Sequence, residues 1–192
     1  MKPVALPMPL DTRPSAPYTI LVDQLLRLGS TMDAQGRILD PLVNQPTQYG
    51  TPYFAYAAAV AVSHDPAAQS ELGELAIRAM NASLDYLVDL DQVPWISGID
   101  AIAGGTSRLS HCDFFWPAVL ETYRILRDVE PRTAENWADQ IAGIDIEKTF
   151  ITRPPSNWSA VWLSGEWLRM QMGLSPIERD QFERWLSGMF EW

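Results

Sequence analysis

The segment Thr51-Pro52-Tyr53-Phe54-Ala55-Tyr56-Ala57-Ala58-Ala59-Val60-Ala61-Val62 decides the fold class of this chain. A helix is predicted to begin here, because threonine is a typical N-cap and proline is tolerated at the first helical position. The residues that follow are apolar on every face of such a helix, so the helix should be buried among other elements. Its apolar run is far shorter than the ~20 residues that span a bilayer. The segment therefore predicts an inner helix of an all-α protein.

An amphipathic helix over 66–90 follows, and its polar face marks it as an outer helix. The same order of inner and outer helix recurs at 113–127 with 131–143 and at 156–173 with 175–190. Pro117 fits the first turn of its helix, and Ser175 with Glu178 reads as a capping box. Apolar residues also recur at helical spacing over 18–32, and Gly29 is predicted to end this helix. The chain thus reads as antiparallel helix hairpins.

Two regions are expected along the chain. Residues 1–16 contain four prolines and no periodic pattern, which predicts an extended arm. Residues 17–192 form one helical domain, in which long loops at 33–52, 91–112 and 144–155 precede the inner helices. Loops of this length in a compact domain are usually functional, and here they should gather at one end of the helices.

Composition and charge exclude several classes of function. A net charge of −10 argues against nucleic acid as a partner, because phosphate binding needs a basic face. The one cysteine, Cys112, allows no intramolecular disulfide or cysteine-based zinc site, and no metal site or cofactor motif is apparent. No membrane span is predicted. The N-terminal residues contain no signal-peptide apolar region, which favours the cytoplasm without defining the compartment.

Three segments carry a resemblance to a known group: Tyr49–Ala58, His111–Pro117 and Asn157–Trp167. They resemble the inner-helix starts of the (α/α)-toroid polysaccharide lyases, which include alginate, glucuronan and heparinase-type enzymes. The resemblance is one of layout and local texture over about residues 33–175. It departs from the group at Asn157, which Trp158 follows where several of these lyases have an Asn-His pair. It implies a partial or complete (α/α) toroid and β-elimination on an acidic polysaccharide, with no cofactor.

β-Elimination needs a group that neutralises the substrate carboxylate, a base for the C5 proton and an acid for the leaving oxygen. The resemblance implies Asn157 as the neutraliser and His111 as the base or a second neutraliser, with Tyr49 or Tyr53 as acid or base. Each residue also has a structural explanation. Asn157 suits a helix N-cap, His111 a loop histidine bonded to backbone, and the tyrosines the core.

Arginines and tryptophans are the candidate groups for binding the substrate. One arginine lies in or beside each long loop, and guanidinium groups match carboxylates; these are Arg37, Arg108 and Arg153. The chain has eight tryptophans, whose rings either fill the core or offer platforms to sugar rings. The candidate platforms are Trp95, Trp116 and Trp158.

Two other functions remain open from the sequence. Toroids also host glycoside hydrolases, for which Asp100, Asp113 and Glu166 are candidate carboxylates. The third possibility is a non-catalytic helical-hairpin protein that binds a partner. Since three hairpins form an arc and the helical pattern continues to Trp192, we expect either a longer natural chain or closure by homo-oligomerisation.

Overall fold

The computed structural model describes residues 16–42, 44–46, 49–64, 71–88, 112–149 and 157–189. These residues are mostly helical, which confirms the all-α prediction. The elements are α1 (Ala16–Gly29), β1 (Leu39–Asp40), β2 (Gln45–Pro46), α2 (Gly50–His64), α3 (Glu71–Val88), α4 (Cys112–Leu126), α5 (Pro131–Gly143), α6 (Ile146–Thr149), α7 (Asn157–Gln171) and α8 (Arg179–Gly188). The predicted arm at 1–16 lies outside the described residues, except for Ala16, which begins α1.

The second helix, α2, is buried as its sequence predicted. Small and medium apolar residues fill most of its surface, and the buried ones include Ala55, Ala58, Ala59 and Val62. Small side chains let neighbouring helices approach closely. Helix α2 therefore packs on α3 along one side and on α4 along another, while Tyr18 of α1 donates a 2.6 Å hydrogen bond to the Ala61 carbonyl.

Helix α4 lies between α2 and α7 and supplies the centre of the core. Its apolar residues Phe115, Trp116, Val119 and Leu120 are almost completely buried. The helices α2, α4 and α7 are the three predicted inner helices. Helix α4 packs on both of the others, while α7 also has exposed residues such as Ser164 and Trp167.

The outer helices pack against this row through large side chains. Trp137 of α5 donates a 2.6 Å hydrogen bond from its indole nitrogen to the amide oxygen of Asn81 on α3. Helix α8 returns along α7, where Trp162 meets Trp185 and Trp167 meets Phe182. Each predicted inner and outer pair is thus present among the described residues.

Several predicted helix boundaries differ from the structure. Helix α2 begins at Gly50, so Thr51 is not its N-cap; its hydroxyl instead accepts a 3.0 Å hydrogen bond from the Ile38 N–H. Pro117 is the sixth residue of α4 and lies beyond the first turn.

The predicted capping box is also wrong. Helix α8 begins at Arg179, and its N-cap Glu178 makes no side-chain capping bond. The Ser175 hydroxyl accepts a hydrogen bond from the Ile177 N–H within a turn and donates one to Glu166. The Ser175 hydroxyl therefore binds Glu166 and the nearby Ile177 instead of capping a helix.

The loop predicted at 33–52 contains a small hairpin. Strands β1 and β2 pair antiparallel, with Leu39 opposite Pro46 and Asp40 opposite Gln45, and Asn44 between them has a positive φ of 50°. Two-residue strands leave too little alternation to be read from sequence.

None of the described helices is long and apolar enough to cross a membrane.

Candidate functional site

Tyr53 joins the starts of α2 and α4. Its hydroxyl donates a 2.8 Å hydrogen bond to the backbone carbonyl of Phe114, and 46% of the residue is exposed. Partial burial raises the pKa of the Tyr53 phenol above its usual range, which keeps the proton on the oxygen at neutral pH. Tyr53 is therefore an accessible, protonated phenol at the point where two inner helices begin.

The ring of Tyr49 contacts the rings of both Tyr53 and Phe114. The ring centroids of Tyr49 and Tyr53 are 6.4 Å apart, and Tyr49 meets Phe114 edge-on at 6.4 Å with an interplanar angle of 88°. Tyr49 and Phe114 are partly buried. We call Tyr49, Tyr53 and Phe114 the aromatic cluster. The three rings are inclined to one another, and the cluster combines apolar ring surface with a phenolic hydroxyl.

Several candidate residues lie outside the described residues. They are Trp95, Arg108, His111 and Arg153. His111 is three residues before Phe114 in the chain and immediately precedes α4. The backbone of Trp158 is in α7, but its side chain is also outside the described part. The roles assigned to these five residues stay predictions.

Arg37 forms an ion pair with Asp33, in which Nε of Arg37 lies 2.7 Å from Oδ2 of the carboxylate. The other oxygen of Asp33 accepts the N–H groups of Gln35 and Arg37, and Arg78 of α3 donates to the Asp33 carbonyl. Gly36, at a φ of +84°, closes this turn against the Arg78 backbone. The described contacts of Arg37 therefore stabilise a turn.

The turn and the aromatic cluster lie on different sides of α2. Ile38, next to Arg37, binds Thr51, whereas Tyr53 binds Phe114 of α4. Residues two apart in a helix point in nearly opposite directions, because each residue advances about 100°. The structure therefore does not bring Arg37 and Tyr53 together.

Asn157 is the exposed first residue of α7. Helix α7 meets Trp116 of α4 through Gly165 and Arg169, which are about 12 and 18 Å further along the helix axis. It is thus the later part of α7 that lies beside the beginning of α4. The prediction that all three inner starts gather at one end is not supported, and no described contact joins Asn157 to the aromatic cluster.

The prediction that Trp116 is a platform for a sugar ring is wrong. The residue is 0% exposed, its ring packs directly on Gly165, and the Arg169 guanidinium lies 5.8 Å from its ring centroid. A ring without an accessible face cannot stack on a ligand. Its position on an inner helix surrounded by two others explains this burial.

Glu166 and Arg169 form a buried ion pair that the sequence analysis missed. Both side chains are 0% exposed, and Nη1 of Arg169 lies 3.2 Å from Oε2 of Glu166. Ser175 donates a 2.5 Å hydrogen bond to Oε1 of Glu166, and Nη2 of Arg169 donates to the carbonyls of Ala142 and Ile144. The signal was present in the sequence: an acid and a base three residues apart within a tryptophan-rich helix.

Burial dominates the electrostatics of this pair. It raises the pKa of Glu166, although Arg169 and Ser175 act in the opposite direction. It likewise lowers the pKa of Arg169 despite the nearby carboxylate. The pair links α7 to the end of α5, and its burial withdraws Glu166 from the candidate carboxylates for glycoside hydrolysis.

Metal ligands are not clustered in the described ranges, where no group of three or more His, Cys, Asp or Glu side chains could hold an ion.

Comparison with known proteins found no similarity: no family model, no curated protein and no solved structure matches this chain.

Proposed function

We propose that the chain binds an acidic polysaccharide at the aromatic cluster and cleaves it by β-elimination, with Tyr53 as the general acid. The observation that carries the proposal is the accessible, protonated phenol of Tyr53 at the shared start of α2 and α4. The resemblance of the inner-helix starts to polysaccharide lyases supports the same reaction.

The elimination reaction consists of three changes. A base removes the C5 proton of a uronic acid, the C4–O bond breaks as the C4–C5 double bond forms, and an acid protonates the departing oxygen. Tyr53 carries a proton that it can give to the leaving oxygen. Its raised pKa makes it a weaker acid than a free phenol, so the transfer depends on the negative charge that develops on that oxygen. His111 would be the base, as the resemblance implies. The resemblance also implies Asn157 as the carboxylate neutraliser, but no described contact joins Asn157 to the aromatic cluster, so the neutraliser at this site is left unassigned.

One of the three candidate carboxylates for hydrolysis is inaccessible. Inverting and retaining glycosidases both need two accessible carboxyl groups beside the scissile bond. Glu166 is completely buried in an ion pair. The side chains of the other two candidates, Asp100 and Asp113, lie outside the described residues.

Non-catalytic binding is the second candidate. One observation favours it: the Tyr53 hydroxyl already donates to the Phe114 carbonyl and must give up that bond to protonate a substrate. A protein that only binds carbohydrate would keep this bond and use the ring surface alone.

The test is ultraviolet absorbance of the purified chain with alginate, glucuronan, heparin-type and pectic substrates, because elimination creates an absorbing double bond. Tyr53→Phe keeps the ring and removes the acid, so we expect a loss of rate of about 10²–10⁴-fold with binding little changed. Tyr56→Phe is the matched control, since Tyr56 is a partly buried tyrosine on the same helix.

The outcomes separate the candidates. An unchanged rate in Tyr53→Phe would exclude Tyr53 as the acid. Binding of a substrate without any absorbance change would favour the non-catalytic candidate. Thermal unfolding of Tyr53→Phe should be measured alongside, because the lost hydrogen bond stabilises the fold by about 1 kcal/mol.

A further inference from the structure

A cavity of about 380 Å³ lies between the end of α5, the short helix α6 and the beginning of α8. Its lining is mainly apolar, with Ile144, Ile146, Pro176 and Ile177 beside the ring of Trp185. Gln181 and Asp145 supply polar groups to the same lining. The volume and the mixture of an apolar surface with few polar groups are typical of small-molecule sites.

Trp185 is held in place from within the protein. Its ring lies edge-to-face against Trp162, with centroids 5.3 Å apart and an interplanar angle of 80°. Trp162 is buried and Trp185 only partly so, so the contact orients the outer ring without covering it. Trp185 also lines an adjoining cavity of about 200 Å³, together with Arg184.

The opposite wall of the larger cavity is also fixed. Nη2 of Arg169 donates hydrogen bonds of 2.8 and 3.1 Å to the carbonyls of Ala142 and Ile144. The Ile144 N–H donates to the Ile141 carbonyl. A wall that is already ordered lowers the entropic cost of binding.

We propose that Trp185 is the platform of a second sugar-binding site, in which the larger cavity holds one ring of an acidic oligosaccharide. A sugar ring has an apolar C–H face, which matches Trp185, and a hydroxyl rim, whose O–H groups can donate to Gln181 and Asp145. The carboxylate of that ring then points away from Asp145, because like charges repel. Arg184, in the adjoining cavity, then binds the carboxylate of the next uronic acid. The inference rests on the proposed function for the class of polymer, but it requires no cleavage.

The experiment is calorimetric titration of the full chain with a glucuronan oligosaccharide and an alginate oligosaccharide, each compared with its carboxyl-reduced form. All measurements use the Tyr53→Phe background, so cleavage does not interfere. We expect Trp185→Ala to weaken binding of the charged oligosaccharide by about tenfold. Arg184→Gln should weaken the charged form and leave the reduced form unaffected.

Trp167→Ala is the matched control, since Trp167 is 41% exposed on α7 and also contacts α8, but does not line either cavity. Equal affinity in Trp185→Ala and the parent would overturn the proposal, as would equal losses in Trp185→Ala and Trp167→Ala. An apolar fluorescent dye that Trp185→Ala releases but the oligosaccharides do not displace would also overturn it. If elimination fails while the Trp185 effect holds, only the proposed reaction is wrong.

Discussion

Arg169 shows at the residue scale how a charge is accommodated in this core. Its guanidinium has three kinds of partner: the carboxylate of Glu166, two backbone carbonyls of the α5 end, and the face of Trp116. Removing one member of a buried ion pair leaves the other charge without compensation, which costs more than the pair itself contributes.

We therefore predict that Arg169→Met lowers the free energy of unfolding by roughly 3–5 kcal/mol. Part of this loss should be recovered in the double variant with Glu166→Gln, because the remaining buried charge is then removed. Urea unfolding of the parent, both single variants and the double variant measures the coupling between the two residues. Additive single effects would show that the pair is not an energetic unit.

The titration of Glu166 should also affect stability. Its pKa is raised by burial above the usual value of 4.5, so the folded protein binds this proton more tightly than the unfolded chain does. Its contribution to stability is fully present below about pH 4.5 and is lost as the pH rises through the folded-state pKa.

The free energy of unfolding of the parent minus that of Glu166→Gln should consequently fall as the pH rises above about 4.5, by at most about 1.4 kcal/mol per pH unit. Urea unfolding at a series of pH values measures this difference. A difference that is constant or that increases with pH would contradict the assigned direction.

At the scale of the element, the packing of α7 on α4 depends on the absence of a side chain at Gly165. A Cβ atom at this position would overlap the Trp116 indole ring. Both partners are buried, so neither ring nor helix can move away without disturbing the core.

Gly165→Ala should therefore destabilise the protein by about 1–3 kcal/mol, although alanine favours helix more than glycine does. Gly188→Ala is the control: nothing lies within 4 Å of its added Cβ, and no loss of stability is expected. The thermal unfolding temperatures of the two variants and the parent protein measure these effects. Equal stability in both would mean that α7 and α4 are not in close contact.

At the scale of the whole molecule, α4 connects the two halves of the described structure. It packs on α2 on one side and on α7 on the other, and Leu120 near its middle is 0% exposed. A substitution that destabilises α4 should therefore lower the stability of all the described helices together.

We predict that Leu120→Ala lowers the free energy of unfolding by about 2–5 kcal/mol and leaves unfolding cooperative. Far-ultraviolet circular dichroism reports on the helices, and tryptophan fluorescence reports on the packing around the eight tryptophans, which include the buried Trp116, Trp137 and Trp162. The two transitions should coincide in urea. Separate transitions would indicate that the halves on either side of α4 unfold independently.

The accuracy of the sequence predictions varied with the range of the interactions concerned. Helix α5 was predicted at 131–143 and is found at Pro131–Gly143, because an N-terminal proline and amphipathic periodicity are local signals. The caps at Thr51 and Ser175 were predicted wrongly, since each hydroxyl binds a residue from another part of the chain.

The predictions for the candidate site also depended on the range of the interactions concerned. The resemblance implied Tyr49 or Tyr53 as acid or base, and the structure places the two rings together with Phe114 of α4 as a further partner. It could not show that Arg37 lies on a different side of α2, or that Trp116 is in the core and Trp185 at a cavity. All are aromatic or charged residues whose role depends on their neighbours.

By itself, the sequence determined the all-α class, the burial of α2 and the approximate positions of the helices. These follow from apolar periodicity and short connections, which act over a few turns of chain. Only the tertiary structure decided that the later part of α7 meets the start of α4, and that Glu166 and Arg169 are buried together. Packing between distant segments depends on the shapes of both surfaces, and no local pattern records the partner's surface.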